Sequence, residues 1–357
     1  AVFDQYYSGR DTVLSLSAGY DSRALLAGLL QRNQRPVVAT MGDSRATDRE
    51  VAGAIANRFG LEHHCVELDP GDYVNDAETI TNLTSGSKTL SNWHTYIYIR
   101  NAGFTEGKMH LAGANGELFR SYFFDKGLLA RAVGLAPAEL SFTSLFGYKY
   151  SVRRRLAGFN VNAALNEDTG CSLRDVPLEC LRALPRRPRR LMDRFDYFYT
   201  YERVRHFIAQ GLALYNAVVP TSSPFLDTRV VEAGARLARG EKLGDRFHRR
   251  IIENSCPELL EFPVDDSGIP LGRINRTLYW LKKARTRSYI IKDRLMRDSA
   301  LCEIYRDSPH LEPFLPKRER LQALEQKAWQ VFSYLLTIHF VCEKIDGLHE
   351  NRVQEGE

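Results

Sequence analysis

Ser17, Gly19, Asp21 and Ser22 crowd one short polar stretch between the apolar run Thr12 to Leu16 and the helical pattern Ala24, Leu25, Leu26, Leu29, Leu30. A buried strand followed directly by a helix puts these small residues in a strand-to-helix turn. Such a turn suits an anion. Gly19 lets the backbone come close, the helix N-terminus offers N–H groups and partial positive charge, and the two serines can donate hydroxyl hydrogen bonds. If the anion is a phosphate, Asp21 has a purpose: a carboxylate and phosphate oxygens together hold a hard cation such as Mg2+. Asp21 or Ser22 can equally serve as a plain helix cap. The stretch is not a Walker A loop, because no Gly-Lys-Ser/Thr follows at the required spacing.

A second stretch, Gly113-Ala114-Asn115-Gly116-Glu117-Leu118-Phe119-Arg120-Ser121-Tyr122, follows another apolar run. Its small residues allow backbone to pass close to a ligand, and Gly113 stands first among them. Glu117 can hold a cation or take a proton from a nucleophile. It can also form a structural ion pair with Arg120 three residues on.

The elements that must position these stretches read as alternating strands and helices. Thr12 to Leu16, Pro36 to Thr40, Cys65 to Leu68 and Lys108 to Ala112 read as strands. Arg49 to Phe59 reads as an amphipathic helix ended by Gly60, and Asp72 to Thr81 and Thr95 to Asn101 as further helices. Alternation of this kind implies a parallel sheet with helical crossovers, and ligands of such sheets sit beyond the strands' carboxyl ends. The loops after Leu16, Thr40 and Ala112 are therefore expected to share one mouth. Beyond Phe124 helices dominate: Leu128 to Leu135, Arg194 to Leu214, and most of Trp280 to Leu348, with breaks near Pro309, Pro313 and Pro316. The polar tail from Glu350 is expected to fray. Three consecutive regions result, residues 1–124, 125–272 and 273–357.

The chain has 357 residues, 44% of them hydrophobic and 26% charged, which is the composition of a globular protein with a sizeable core. No run of about eighteen apolar residues occurs, and Asp4, Arg10 and Asp11 interrupt any signal-peptide pattern, so a cytoplasmic location is expected. Six cysteines without a Cys-x-x-Cys pair argue against a zinc ribbon or a redox motif. The net charge of +5 is concentrated in Arg153-Arg154-Arg155 and in Arg186 to Arg190. No regular aromatic interleaving accompanies these clusters, so a solvated arginine surface is preferred to a nucleic-acid platform. Ser91-Asn92-Trp93-His94-Thr95-Tyr96 can line a substrate pocket, although Trp93 and Tyr96 read better as core.

The first stretch resembles the pyrophosphate loop of the ATP pyrophosphatase superfamily. With the second stretch, the chain looks like the synthetase half of the asparagine synthetase family, whose members write Glu-Leu-Phe-Gly-Gly-Tyr where this chain has Glu117 to Tyr122. Asp48 to His64, Ser223-Pro224-Phe225-Leu226-Asp227 and Phe247 to Pro257 are similar to further segments of that family, in the same order, over roughly residues 12 to 270. The resemblance implies a doubly wound α/β fold of the adenine nucleotide α-hydrolase (HUP-like) type. It implies ATP and Mg2+, adenylation of a substrate carboxylate with release of pyrophosphate, and transfer of the acyl group to ammonia or an amine. On this resemblance Leu16, Ser17, Ala18, Gly19, Tyr20, Asp21, Ser22, Thr40, Met41, Gly42 and Gly113 hold ATP. Asp21 and Glu117 hold the metal, and Asp227 supports the nucleotide side or caps a helix.

Two departures stand out. Asn115 and Gly116 occupy the place of an acidic metal ligand in asparagine synthetases, and the lysine that follows the family's Pro-Glu pair is missing. Arg246, Arg249 or Arg250 is its candidate replacement, with Arg249 assigned to catalysis. The chain opens a dozen residues before its first strand, so no glutaminase domain is expected within it, and the nitrogen comes from another domain or protein or from an amine substrate. The missing groups point to a carboxylate other than free aspartate, such as a carboxylated sugar or a peptide side chain. The competing readings are an ATP-dependent tRNA-modifying enzyme, and a nucleotide-binding or assembly protein that has lost turnover.

Overall fold

The computed structural model describes residues 2–7, 9–104, 107–120, 122, 123, 135, 183, 190–238, 240–242, 245–264, 269, 270 and 290–355. The expected helix over 128–135 and the arginine clusters up to residue 189 lie outside these residues, apart from Leu135. The chain falls into two compact units, each assembled from three segments. The first takes residues 1–68, 98–135 and 215–288; the second takes residues 69–97, 136–214 and 289–357.

The first unit is a five-stranded parallel sheet in the order β3-β2-β1-β4-β5. Its strands are β1 (Thr12–Ser15), β2 (Val37–Met41), β3 (His63–Val66), β4 (Met109–Leu111) and β5 (Thr221–Ser222). Register is set by buried aliphatic residues: Leu14 lies opposite Val38 on one side and Leu111 on the other. The strand order reverses beside β1, so the crevice of a doubly wound sheet opens between the loops after β1 and β4. The expected α/β doubly wound fold is the one observed. β3 begins two residues earlier than the sequence suggests, because His63 and His64 pair with Val38 and Ala39 despite their polarity. Their side chains have somewhere to go: His63 Nε2 lies 3.0 Å from Thr40 Oγ1 and His64 Nε2 lies 2.6 Å from Glu62 Oε1.

Helices α1 (Val2–Tyr6), α2 (Tyr20–Leu30) and α3 (Thr47–Phe59) belong to this unit. α3 stops at Gly60, whose left-handed φ of 61° suits a residue without a Cβ. The core joins Leu14, Leu16, Leu25, Leu26, Val38, Ile55, Leu111, Phe119, Phe225, Ile252 and Leu259.

In the second unit, α4 (Pro70–Asn75) and α5 (Ala77–Thr84) replace the single helix expected over Asp72 to Thr81. Asp76 breaks the helix at φ −96° and ψ 0°, and Asp69 caps α4 in a capping box with Asp72. α6 (His94–Asn101) starts in the second unit and ends in the first. α7 (Leu191–Phe198), a π-helix (Tyr199–Ile208) and α8 (Ala209–Asn216) form one helical run. It matches the expected helix, except that the middle is wound more widely than an α-helix. Back in the first unit lie α9 (Thr228–Arg236) and α10 (Arg246–Ser255), and the C-terminal helices of the second are α11 (Ile290–Leu295), α12 (Ser299–Asp307), α13 (Lys317–Glu325) and α14 (Trp329–Glu355).

α14 continues to Glu355, into the stretch expected to fray. Thr337 Oγ1 and Ser333 Oγ on this helix accept the backbone N–H groups of Leu90 and Ser91, each at 2.8 Å. Trp93 is fully buried against Phe340, as its core reading requires. None of the described helices is long and apolar enough to cross a membrane.

Candidate functional site

The loop between β1 and α2 is fixed by hydrogen bonds within the turn and to β2 and α3. Leu16 N donates to Ala39 O, and Leu16 O accepts from Thr40 Oγ1 at 2.9 Å, which ties the ends of β1 and β2 together. Ser17 and Ser22 close the turn: their hydroxyls are 3.1 Å apart, and Ser22 Oγ also accepts from Ser17 N at 3.1 Å. Ala18 N donates to Asp48 Oδ1 at 2.7 Å, fixing the loop to α3. Gly19 is the N-cap of α2 and has no side chain to spend on the first turn, so that turn keeps N–H groups for an anion.

Arg23, fully buried, donates to Ala18 O and to the carbonyls of Leu259, Phe262 and Pro263. This guanidinium braces the back of the loop. At the end of β2, Met41 leads into Gly42, whose φ of 145° and tight approach to Ala46 both exclude a side chain.

The loop after β4 packs directly on this turn. A Cβ on Gly113 would lie 3.0 Å from Ser22 N, and one on Gly116 would overlap the Asp21 carboxylate. Glycine at 116 is therefore what gives Asp21 its position. Asn115 sits in the left-handed region at φ 71°, fully buried, and among the described residues neither atom of its side-chain amide has a hydrogen-bond partner. Orphaned amide groups are costly away from water, and one beside an anion-accepting loop marks a place where a ligand can complete the structure.

Asp21 is the centre of a charge cluster. Arg120 Nη2 lies 3.6 Å from Asp21 Oδ2 and 3.6 Å from Glu117 Oε1, while Arg120 Nη1 donates to Asp245 Oδ1 at 2.9 Å. His248 Nε2 stands 2.9 Å from Asp21 Oδ1, without the alignment of a hydrogen bond. Burial alone would raise the Asp21 pKa, but Arg120 and His248 outweigh it and hold the carboxyl below its ordinary value. Asp21, Asp245 and Glu117 in turn keep Arg120 charged despite its own burial.

His248 reaches this point from α10 (Arg246–Ser255), enclosed by the rings of Phe119, Phe225 and Phe247. Phe119 and Phe247 stack at 4.5 Å. The described cluster thus sets three carboxylates against one guanidinium and one imidazole. This surplus of negative charge, with Asp21 Oδ1 lacking a hydrogen bond among the described residues, suits a hard cation next to a phosphate site.

The structure therefore brings Leu16 to Ser22, Thr40 to Gly42, Gly113 and Glu117 to one edge of the sheet. Arg249 pairs with Glu253 at 3.5 Å, Arg250 pairs with Glu241 at 2.6 Å, and Arg246 donates to Gly240 O. Among the described residues the guanidinium beside Asp21 is that of Arg120. Asp227 caps α9 (Thr228–Arg236), accepting from Arg229 N at 2.9 Å, and also binds the Arg229 side chain.

Sequence reasoning missed His248 and Asp245. The signal for His248 was its place four residues before Ile252 on the buried face of a strongly amphipathic helix; nothing marked Asp245. The asparagine synthase family model matches residues 1–261, a span that contains every residue of this cluster. No curated protein matches the chain.

Proposed function

The chain belongs to the asparagine synthase family, and on that premise we propose that it is an ATP-dependent amide-forming ligase that releases AMP and pyrophosphate. The observation that carries this reading is the Asp21 cluster, set against an anion-accepting turn at the carboxyl edge of a doubly wound sheet. In the first step a substrate carboxylate oxygen attacks the α-phosphorus of ATP. The bond from that phosphorus to the bridging oxygen breaks, and pyrophosphate leaves with the electron pair. In the second step an amine nitrogen attacks the acyl carbon, the bond to AMP breaks, and the nitrogen gives up a proton.

The first turn of α2, with the Ser17 and Ser22 hydroxyls, would bind the pyrophosphate portion of ATP and stabilise it as it departs. Leu16 and the Thr40-Met41-Gly42 turn would lie along the adenosine. Arg120, held in place by Asp21, Asp245 and Glu117, would meet negative charge that builds on the phosphates, a task suited to a group that stays protonated. It takes the role expected of Arg249. Asp21 and Glu117 would hold Mg2+, which when bound would neutralise phosphate charge. His248 would keep the Asp21 carboxylate oriented, and the Asn115 amide would contact the ligand.

Incubation with ATP, Mg2+ and a panel of carboxylates and amines tests the reading. AMP and pyrophosphate are expected in equal amounts with an amide product. Release of ADP and phosphate, or no turnover with any pair, would overturn it.

A further inference from the structure

His310, His339 and Glu343 bring three metal-ligating side chains together in the second unit. His339 and Glu343 stand one turn apart on α14, four residues in sequence, so their side chains share a face of that helix. His310 comes from elsewhere, the 3-10 turn Pro309–Leu311 that follows α12. The turn brings its imidazole up to the same face: Nε2 lies 2.7 Å from Glu343 Oε1, and the centroids of the His310 and His339 rings are 5.6 Å apart. One ligand atom from each of the three residues lies within 4.8 Å of the other two.

The far side of each ring separates this group from an ordinary ion pair. His339 Nδ1 lies 2.9 Å from the hydroxyl of Ser308, a buried residue at the N-cap of the 3-10 turn whose side chain makes no cap hydrogen bond there. His310 Nδ1 faces Asp346 Oδ2 at 3.7 Å. Metal-binding histidines are held in this manner, the nitrogen away from the ion donating to a carboxylate or another acceptor. With Nδ1–H turned to Ser308 and to Asp346, both lone pairs are on Nε2. Two imidazole nitrogens and one carboxylate oxygen are a donor set for Zn2+ and its neighbours, with a fourth position left to water. Ligand atoms at about 2.1 Å from a tetrahedral Zn2+ stand about 3.3 Å apart, so the three would draw together by at most about 1.5 Å. The Glu343 and Asp346 side chains are exposed, which gives an ion a path from solvent.

We propose that His310, His339 and Glu343 form a binding site for one transition-metal dication of the Zn2+ class. The cation takes the place of the proton between His310 Nε2 and Glu343 Oε1, and that proton leaves for solvent. Bound there, it clips the turn after α12 to the face of α14. The site lies within the second unit and stands whether or not the ligase reading is correct.

The test is calorimetric titration of the whole chain, stripped with a chelator and free of any affinity tag, with Zn2+ in a buffer that already contains Mg2+. The wild type is expected to bind one equivalent. His310→Ala should weaken that binding by about 100-fold or more, since it removes a ligand outright. If His310→Ala does not fold by circular dichroism, Glu343→Gln decides: its side chain is exposed, the amide keeps its size, and the loss of the carboxylate should weaken binding by about 10-fold or more. Co2+ in place of Zn2+ reads the ligand type. Its visible spectrum should be that of nitrogen and oxygen ligation, without a thiolate charge-transfer band, although Cys342 lies on the same helix near Glu343 and Asp346. No binding, undiminished binding in the folded variant, or a thiolate band would overturn the proposal.

Discussion

Asp21 is withdrawn from water between Arg120 and His248, and both groups face it at ion-pair distance. Lys88 is withdrawn further, and its company is an aromatic ring and a second cation. The same physical cost, burying a charge, is met in the first unit by opposite charge built into the fold and in the second by nothing comparable among the described residues. A half-buried carboxylate with a guanidinium and an imidazole beside it is a part already in place, prepared for chemistry at its exposed edge. A buried ammonium with no acid beside it among the described residues has a lowered pKa and a ring facing it, and its burial stays a cost to the fold.

The largest break in this contrast comes from Asp21→Asn. The amide keeps the volume but removes the charge that Arg120 and His248 oppose, and pyrophosphate release should fall by about 100-fold or more. Circular dichroism should stay that of the wild type; normal turnover would return the loop to the role of a helix cap. The same variant isolates a pH effect on stability. The Asp21 pKa is depressed in the folded chain, so its contribution is fully present above the ordinary value of 3.8 and is lost as pH falls through the folded value. Denaturant unfolding of wild type and variant should therefore converge only in strong acid.

Gly116→Ala tests whether position or charge matters at the cluster. Its Cβ would overlap the Asp21 carboxylate, so the side chain must leave His248 while every charge is kept. A loss of roughly 1–3 kcal/mol in denaturant unfolding is expected, the usual cost of overpacking. Pyrophosphate release should fall as well. Wild-type stability and rate in this variant would mean that Asp21 has no fixed place.

This site was half legible in the sequence. The loop, its strand and its helix announce themselves by period and by small residues, and so do Gly113 and Glu117. Gly116 was legible only as a departure from a family pattern. Its structural meaning, room for Asp21 to turn toward His248, depends on a contact between residues from opposite ends of the first unit. No local pattern encodes such a contact. The sheet was legible because a parallel strand, buried on both faces, is an apolar run; β5, only Thr221–Ser222, is too short and polar to show. The assignment of residues 69–97 to a different unit from the strands on either side was invisible for the same reason, since packing partners such as Thr337 and Ser333 lie far along the chain. Lys88 gave no signal, because a lone lysine reads as surface.

A subtler check on the second half of the contrast is the pH dependence of Lys88→Met. A lysine whose pKa falls from 10.5 to about 8 on folding binds fewer protons in the native state than in the unfolded state between those values. Stability then rises with pH across that window, and below about pH 8 the burial cost is present in full. The variant lacks this dependence. Its advantage over wild type in melting temperature should be constant below pH 8 and should narrow toward pH 10. A constant difference throughout would mean that Lys88 titrates like a surface lysine and is not buried as a charge.

The smallest effect is expected at Asp227, which is paired like Asp21 but with an exposed partner, Arg229. Its carboxylate accepts from the backbone and side chain of Arg229, and these bonds hold its pKa below the ordinary range. A cap of this kind is worth about 1 kcal/mol, and an exposed ion pair adds little in water. Asp227→Ala should therefore lower stability by about that amount in denaturant unfolding while pyrophosphate release is unchanged. A large loss of turnover with little loss of stability would move Asp227 from the frame of the site to its nucleotide side. Pairing would then no longer separate framework from chemistry, and the contrast between Asp21 and Lys88 would have to rest on burial alone.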